Sequence, residues 1–447
     1  MTTPVKAVRG TRDLLPPETA LWSRVETIAR EIFARYHFGE IRTPIFEETA
    51  LFARGVGEET DIVAKEMYTW EDRARAQSEK NQSLTLRPEN TAGVVRAYIE
   101  HQLGETGQLH KLFYIGPQFR RERPQKGRYR QFFQIGAEVI GPPHSGSESP
   151  LRDAEILEML ASLLDSLGIT GWTLRLNSVG SAADRPVYLA RLRDALAPVV
   201  GQLCADCQRR AVTNPLRVLD CKVPGDQPLI ETLPRIADSL DESSRAHFNA
   251  VCAALDAAAV PYTLDHRLVR GLDYYTRTTF EFTHGGLGAQ NALLGGGRYD
   301  GLSESLGGPR APGIGFAIGQ DRLILTLEAQ QKSLPTRADA FIAPIGDAQN
   351  PAALALAREL RRALLPGADT VDNGLRIELG DGSFRVRKSM EIADKLARHI
   401  VLLGEDELQS GILTVKNFST GQQTKISRDA LAAHLLAGRA RPNIKEG

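Results

Sequence analysis

Between residues 120 and 130 the chain carries six cations (Arg120, Arg121, Arg123, Lys126, Arg128, Arg130) against one anion, Glu122. Strand-like apolar runs flank this stretch, from Lys111 to Ile115 and from Phe132 to Ile140. Pro124 and Gly127 punctuate it, so the pattern predicts two strands joined by a charged loop. Arginine forks suit phosphate and carboxylate groups and keep their charge when partly desolvated, so the loop predicts a polyanion partner. On the second strand Gln134 and Glu138 are four apart and share a face with Phe132 and Gly136. Two polar groups on one sheet face imply a wet cleft rather than core.

The rest of the first 330 residues fits around that hairpin. Leu21, Trp22, Val25, Ile28, Ala29, Ile32, Phe33 and Tyr36 give an amphipathic helix over 18–37, with a cap near Phe38-Gly39. An extended segment runs from Glu40 to Phe46, where Pro44 favours an edge or terminal strand. Residues 83–100 read as strand, turn and helix, and 150–167 as a helix. From about 180 to 257 the pattern is helical, without a clear strand, and reads as an insertion. Strand character returns over 274–283, followed by a glycine-rich hairpin region over 284–301. A buried strand at 314–318 leads into a helix near Gly319. The expectation is an α+β domain with an antiparallel sheet. After a linker at 331–337, strands and helices alternate over 338–447, which predicts a separate α/β domain with a largely parallel core.

Length and composition set bounds. A chain of 447 residues is too long for one ordinary core. Formal net charge is zero, so nucleic-acid binding has to come from local basic patches. Met1 to Asp13 lacks an apolar signal region, no apolar run is long enough to span a bilayer, and four cysteines form no disulfide framework; the reading is a cytoplasmic protein. Cys204-x-x-Cys207 resembles half a zinc site, but Cys221 stands alone and Cys252 lies in an Ala-rich helical pattern. The thiols read as ordinary ones and no structural metal is expected.

Single residues point the same way, though each has a plain alternative. Glu89 lies between a strand and a helix, where it could be only a cap. Arg270, Tyr274 and Tyr275 open a strand, where a surface Arg and strand tyrosines are unremarkable. Arg322 sits in the first turn of a helix, against the macrodipole, which a bound anion would explain. Tyr299 follows three glycines, which could be tight turns or a place for close backbone approach. Together they describe a platform for a zwitterionic amino acid beside a polyphosphate.

These blocks resemble the class II aminoacyl-tRNA synthetases, within them the histidyl-tRNA synthetase family. Residues 42–47 look like motif 1, the dimer-interface element. Residues 119–138 look like motif 2 and residues 313–322 like motif 3. The stretches 86–89, 270–275 and 296–301 look like histidine-specific blocks, and 388–395 resembles the family's anticodon-binding helix. The resemblance implies ligation of L-histidine to tRNA(His) with ATP and Mg²⁺, by a homodimer. It implies Arg120 at the α-phosphate and the histidine carboxylate, and Glu122, Arg128 and Arg322 on the remainder of ATP. It gives Glu89, Thr91, Gln134 and Glu138 to the amino group and imidazole, with Tyr274, Tyr275 and Tyr299 as pocket walls. It also implies Arg270 as a cation at the α-phosphate, where related enzymes use a metal, and among the histidine-binding residues, with Gln125 approaching the acceptor end of the tRNA. Asn90 stands where a Gly is common, and Phe133 where a His is common. The alternative is a non-catalytic, histidine-sensing regulatory subunit of ATP phosphoribosyltransferase, which lacks the C-terminal domain and matches motif 2 poorly.

Overall fold

The computed structural model describes residues 4–57, 60–72, 82–125, 127–288, 291–330, 337–363 and 374–437. The chain divides into two compact units, Met1–Ser333 and Leu334–Gly447. Positions 331–336 of the expected linker, and Lys126 of the basic loop, lie outside the described residues.

The first unit contains β1 (Gly39–Glu40), β2 (Phe46–Glu48), β3 (Tyr68–Asp72), β4 (Gln82–Leu86), β5 (His110–Phe119) and β6 (Gln131–Ile140). It continues with β7 (Trp172–Ser178), β8 (Tyr262–Leu264), β9 (Thr276–His284), β10 (Ala292–Arg298) and β11 (Gly313–Gly319). Eight of these form one sheet in the order β1-β5-β6-β11-β10-β9-β7-β8, with β2-β4-β3 as a small second sheet. The interior pairings of the large sheet are antiparallel; only β1 and β8 join its edges in parallel. The basic hairpin is β5 and β6, closed by Phe119 opposite Gln131.

Strand alternation divides the large sheet into two chemistries. Phe113, Ile135, Ala137, Phe280 and Phe316 enter the main core with the apolar sides of the Glu18–Arg35 and Pro150–Ser166 helices. Their neighbours Tyr114, Gly136, Glu138 and Gly315 occupy the opposite face. Phe133 packs edge-on against Trp22, 5.5 Å between ring centroids, on the core side and away from Gln134.

The first helix ends earlier than its sequence cap suggests. His37, not Gly39, takes the left-handed φ of 61°, and the Phe38 amide donates back to the Phe33 carbonyl at 2.9 Å. This 6→1 closure lets Phe38 pack on Phe33, so burial of an aromatic ring places the turn. After Pro44, β2 forms an edge strand beside β4. The 180–257 stretch is helical, but it serves two cores. Val179 through Leu240 build a cluster of their own with Tyr275. The Glu242–Ala257 helix instead sends Val251 and Leu255 into the main core.

The second unit contains β12 (Ala338–Pro344), β13 (Ile377–Leu379), β14 (Ala397–Leu403), β15 (Ile412–Asn417) and β16 (Gln423–Ser427), in the order β13-β12-β14-β15-β16. β13, β12 and β14 pair in parallel, whereas β15 and β16 are antiparallel. The core strands are thus parallel, as expected, and the closing hairpin over 412–427 adds two antiparallel strands at one edge. Among the described residues, no helix is long and apolar enough to cross a membrane.

Candidate active site

The polar face of the large sheet gathers most of the residues singled out in the sequence. Glu138 on β6 is fully buried. One carboxylate oxygen accepts from the Thr91 hydroxyl at 2.8 Å; the other is buried without a hydrogen-bond partner among the described residues. Burial, with the nearby Glu89 charge adding to it, pushes the carboxyl up to about 8 despite the opposing Tyr299 and Thr91 hydroxyls. The polar atoms of Tyr114, Tyr299 and Gln118 and the Gln134 carbonyl oxygen are likewise buried without partners. Burying such groups unpaired costs about 1–3 kcal/mol each, a cost tolerated where a ligand completes them.

Glycines in the strands make the room. A Cβ on Gly315 of β11 would lie 1.7 Å from the Glu138 carboxylate, and one on Gly295 of β10 would lie 2.4 Å from the Arg270 guanidinium. Gly295, Gly296 and Gly297 are thus interior strand residues, not a turn; side chains lie flat across the backbone where a Cβ would stand. Tyr274 packs against Tyr275 and Tyr299, with centroids 4.7 and 6.0 Å apart, forming one wall.

Arginines line the other end. Arg120 donates from Nε to the Pro88 carbonyl at 2.9 Å and lies over the Phe132 ring. Glu122 is 3.7 Å from Arg120 and 3.3 Å from Arg128. Arg270 pairs with Glu281 at 2.7 Å, and its Nε is buried without a partner among the described residues. Arg322, in the first turn of the Gln320–Ala329 helix, is made less basic by burial and then by the charges of Arg128 and Arg270. Such convergence of like charges is what a polyanion relieves. Asp321, the neighbour of Arg322 in that turn, pairs with Arg12 at 3.1 Å. At the loop tip, Gln125 and Arg128 exchange backbone hydrogen bonds of 3.1 and 2.9 Å.

Glu89 accepts from the amides of Thr91 and Ala92 at 2.8 and 3.0 Å, so its carboxylate caps the Thr91–Glu100 helix while lining the same region. Asn90 has φ −118° and needs no glycine-like backbone; it accepts a hydrogen bond from Thr43 at 2.7 Å. Sequence reasoning missed Tyr114, Gln118 and Glu281. Tyr114 and Gln118 could have been found by extending the alternation argument from β6 to its partner strand, where Tyr114 lies opposite Gly136.

An antiparallel sheet bearing an arginine hairpin on one face and apolar helices on the other defines the catalytic domain of a class II aminoacyl-tRNA synthetase. A histidyl-tRNA synthetase family profile matches residues 10–323, and an anticodon-binding domain profile matches 339–437. The chain is 66% identical to the histidine–tRNA ligase of Koribacter versatilis over 96% of each protein. It is 54% identical to that of Solibacter usitatus over 97% of this chain and 99% of the relative. The solved apo histidyl-tRNA synthetase of S. aureus superposes with a TM-score of 0.75 at 38% identity, covering 97% of this chain and all of that one. The chain belongs to the histidyl-tRNA synthetase family.

Proposed function

We propose that this enzyme joins L-histidine to the 3′ end of tRNA(His) in two steps, through a histidyl-adenylate. The supporting observation is the pairing, on one sheet face, of a buried set of unsatisfied polar groups with a converging set of arginines. Glu138, Gln134, Thr91 and Glu89 receive the amino group and imidazole, and Tyr274, Tyr275 and Tyr299 wall the ring. Arg120 bridges the histidine carboxylate and the α-phosphate. Glu122, Arg128 and Arg322 hold the rest of ATP, with Mg²⁺ arriving as a counterion of the polyphosphate.

In the first step the histidine carboxylate attacks the α-phosphorus and pyrophosphate leaves. Negative charge grows on the phosphate oxygens, where Arg120 and Arg270 meet it without reorganisation. In the second step the terminal ribose hydroxyl attacks the mixed anhydride, releasing AMP; Gln125 guides the acceptor end. Among the described side chains no general base is evident at that point, so positioning carries the step.

The unit at 338–447 reads the anticodon, and the 1–330 unit performs the chemistry. A homodimer forms through the motif 1 region, where Ile45, Phe46 and Trp70 stay 45%, 54% and 40% exposed and Phe46 and Trp70 stack edge-on. The regulatory-subunit alternative is disfavoured. The structure of an ATP phosphoribosyltransferase regulatory subunit/histidyl-tRNA synthetase from Bacillus halodurans is 19% identical with a TM-score of 0.62, which is likeness of fold alone. Histidine-dependent ATP–pyrophosphate exchange decides the matter: exchange with histidine and none with other amino acids is expected. Histidine binding without any exchange would move the protein to the regulatory class.

A further inference from the structure

We propose that Cys204, Cys207, Cys221 and Asp226 bind one zinc ion that staples the helical segment between β7 and β8. The three sulfurs and a carboxylate oxygen all lie within 4.8 Å of one another. A tetrahedral zinc with Zn–S near 2.3 Å and Zn–O near 2.0 Å sets its ligand sulfurs about 3.8 Å apart and sulfur and oxygen about 3.5 Å apart. Cys204 and Cys221 sulfurs are 3.9 Å apart, and Asp226 Oδ2 is 3.2 Å from the Cys221 sulfur.

The local fold presents these groups to a common point. Cys204 is the N-cap of the Ala205–Thr213 helix and Cys207 lies in its first turn, so both thiols face the same helix end. Cys221 and Asp226 arrive from the turns that follow. The Cys204 amide donates to both Asp226 oxygens, at 3.0 and 3.2 Å, and holds the carboxylate in place. The Val223 amide donates to the Cys221 sulfur at 3.4 Å, a contact that stabilises a thiolate. Cys207, Cys221 and Asp226 are buried, amid an apolar cluster that includes Leu203, Val218 and Ile230. Lys222, the cation next in sequence, pairs with Asp220 instead.

Among the described residues no cation pairs with this carboxylate, sunk among three thiols in an apolar cluster, and a thiophilic divalent ion supplies one. Binding forms three Zn–S bonds and one Zn–O bond and releases three thiol protons to solvent, with no change in oxidation state. Four protein ligands close the coordination shell, so the ion is structural rather than catalytic. A rule that looks for a second Cys pair overlooks the site because its fourth ligand is an aspartate five residues beyond Cys221. Tyr275 belongs to the same apolar cluster, so the staple also supports one wall of the active site.

Elemental mass spectrometry of the full-length protein, purified without chelator, is expected to find about one zinc per chain. Cys207→Ser and Cys221→Ser should drop that below roughly a tenth, while Cys252→Ser keeps it. So that the test does not depend on the folding of those variants, the wild-type chain is also stripped and titrated with Co²⁺. Thiolate-to-cobalt charge-transfer bands that saturate at one equivalent and vanish on adding zinc are expected. A chain that carries no zinc and develops no such bands overturns the proposal, as does full zinc retention in folded Cys221→Ser.

Discussion

Two arginines of the same sheet domain are handled in opposite ways. Arg298 on β10 is fully buried, and every nitrogen of its guanidinium is engaged: it donates to the Asp153 carboxylate at 2.6 and 3.0 Å, to Asp300 at 2.9 Å and to the Ser147 carbonyl at 2.8 Å. Asp153 is completed by Thr278 and His247, at 2.6 and 2.9 Å. Burial alone would raise this carboxyl, but Arg298 and His247 outweigh it and hold it at about 2. Arg270, by contrast, has among the described residues one ion pair and a buried Nε without a partner, and it shares its site with Glu138, Tyr114 and Tyr299, whose polar atoms are likewise unpaired. A saturated buried network fixes structure; an unsaturated one waits for a ligand. Both contain arginine, so residue type separates them less well than the count of missing partners.

The comparison can be broken most forcefully at Arg298. Arg298→Met leaves Asp153 buried without its cation and should cost about 3–5 kcal/mol in denaturant unfolding, with exchange activity per folded molecule little changed. Arg270→His should do the reverse, lowering the rate of adenylate formation by about 10²–10³-fold with a nearly unchanged unfolding midpoint. Near-normal exchange in that variant would remove Arg270 from the reaction. Gly315→Ala places a methyl group onto Glu138; weaker histidine binding, by about 10-fold or more, is expected by calorimetry, reflecting roughly 1.4 kcal/mol of lost fit.

The gentlest probe is pH. In the free protein Glu138 titrates near 8, above the ordinary carboxylate range, so it is protonated at neutral pH. Its folded value is raised, so the folded state holds the extra proton. Its contribution to stability is full below the unfolded value and is lost as pH rises through about 8. A histidine cation at Glu138 reverses the preference, so binding at pH 7 should release close to one proton from this residue. Calorimetry in buffers of differing ionisation enthalpy measures that release, and Glu138→Gln should abolish it.

Legibility in the sequence followed the range of the interactions. The basic hairpin, the Gln134–Glu138 face and the helix that carries Arg322 are local patterns, readable from spacing alone. The Arg298–Asp153 pair spans 145 residues and leaves no local trace, so the network behind the site was invisible. Gly295 to Gly297 were visible but ambiguous, since a glycine run marks a turn or a crowded strand equally well. The early end of the first helix depended on Phe38 reaching Phe33, a tertiary preference that overrode the glycine signal. Asp226 went unread because a carboxylate becomes a metal-ligand candidate only once three thiols surround it.

The most direct test measures histidine-dependent ATP–pyrophosphate exchange and unfolding free energy together for Arg270→His and Arg298→Met. Exchange is read at a temperature where both variants remain folded. The predicted result is a double dissociation, with Arg270→His stable but inactive and Arg298→Met active but fragile. Equal losses of stability and exchange in both variants would contradict the claim that unsatisfied polar groups mark the site and saturated ones the scaffold.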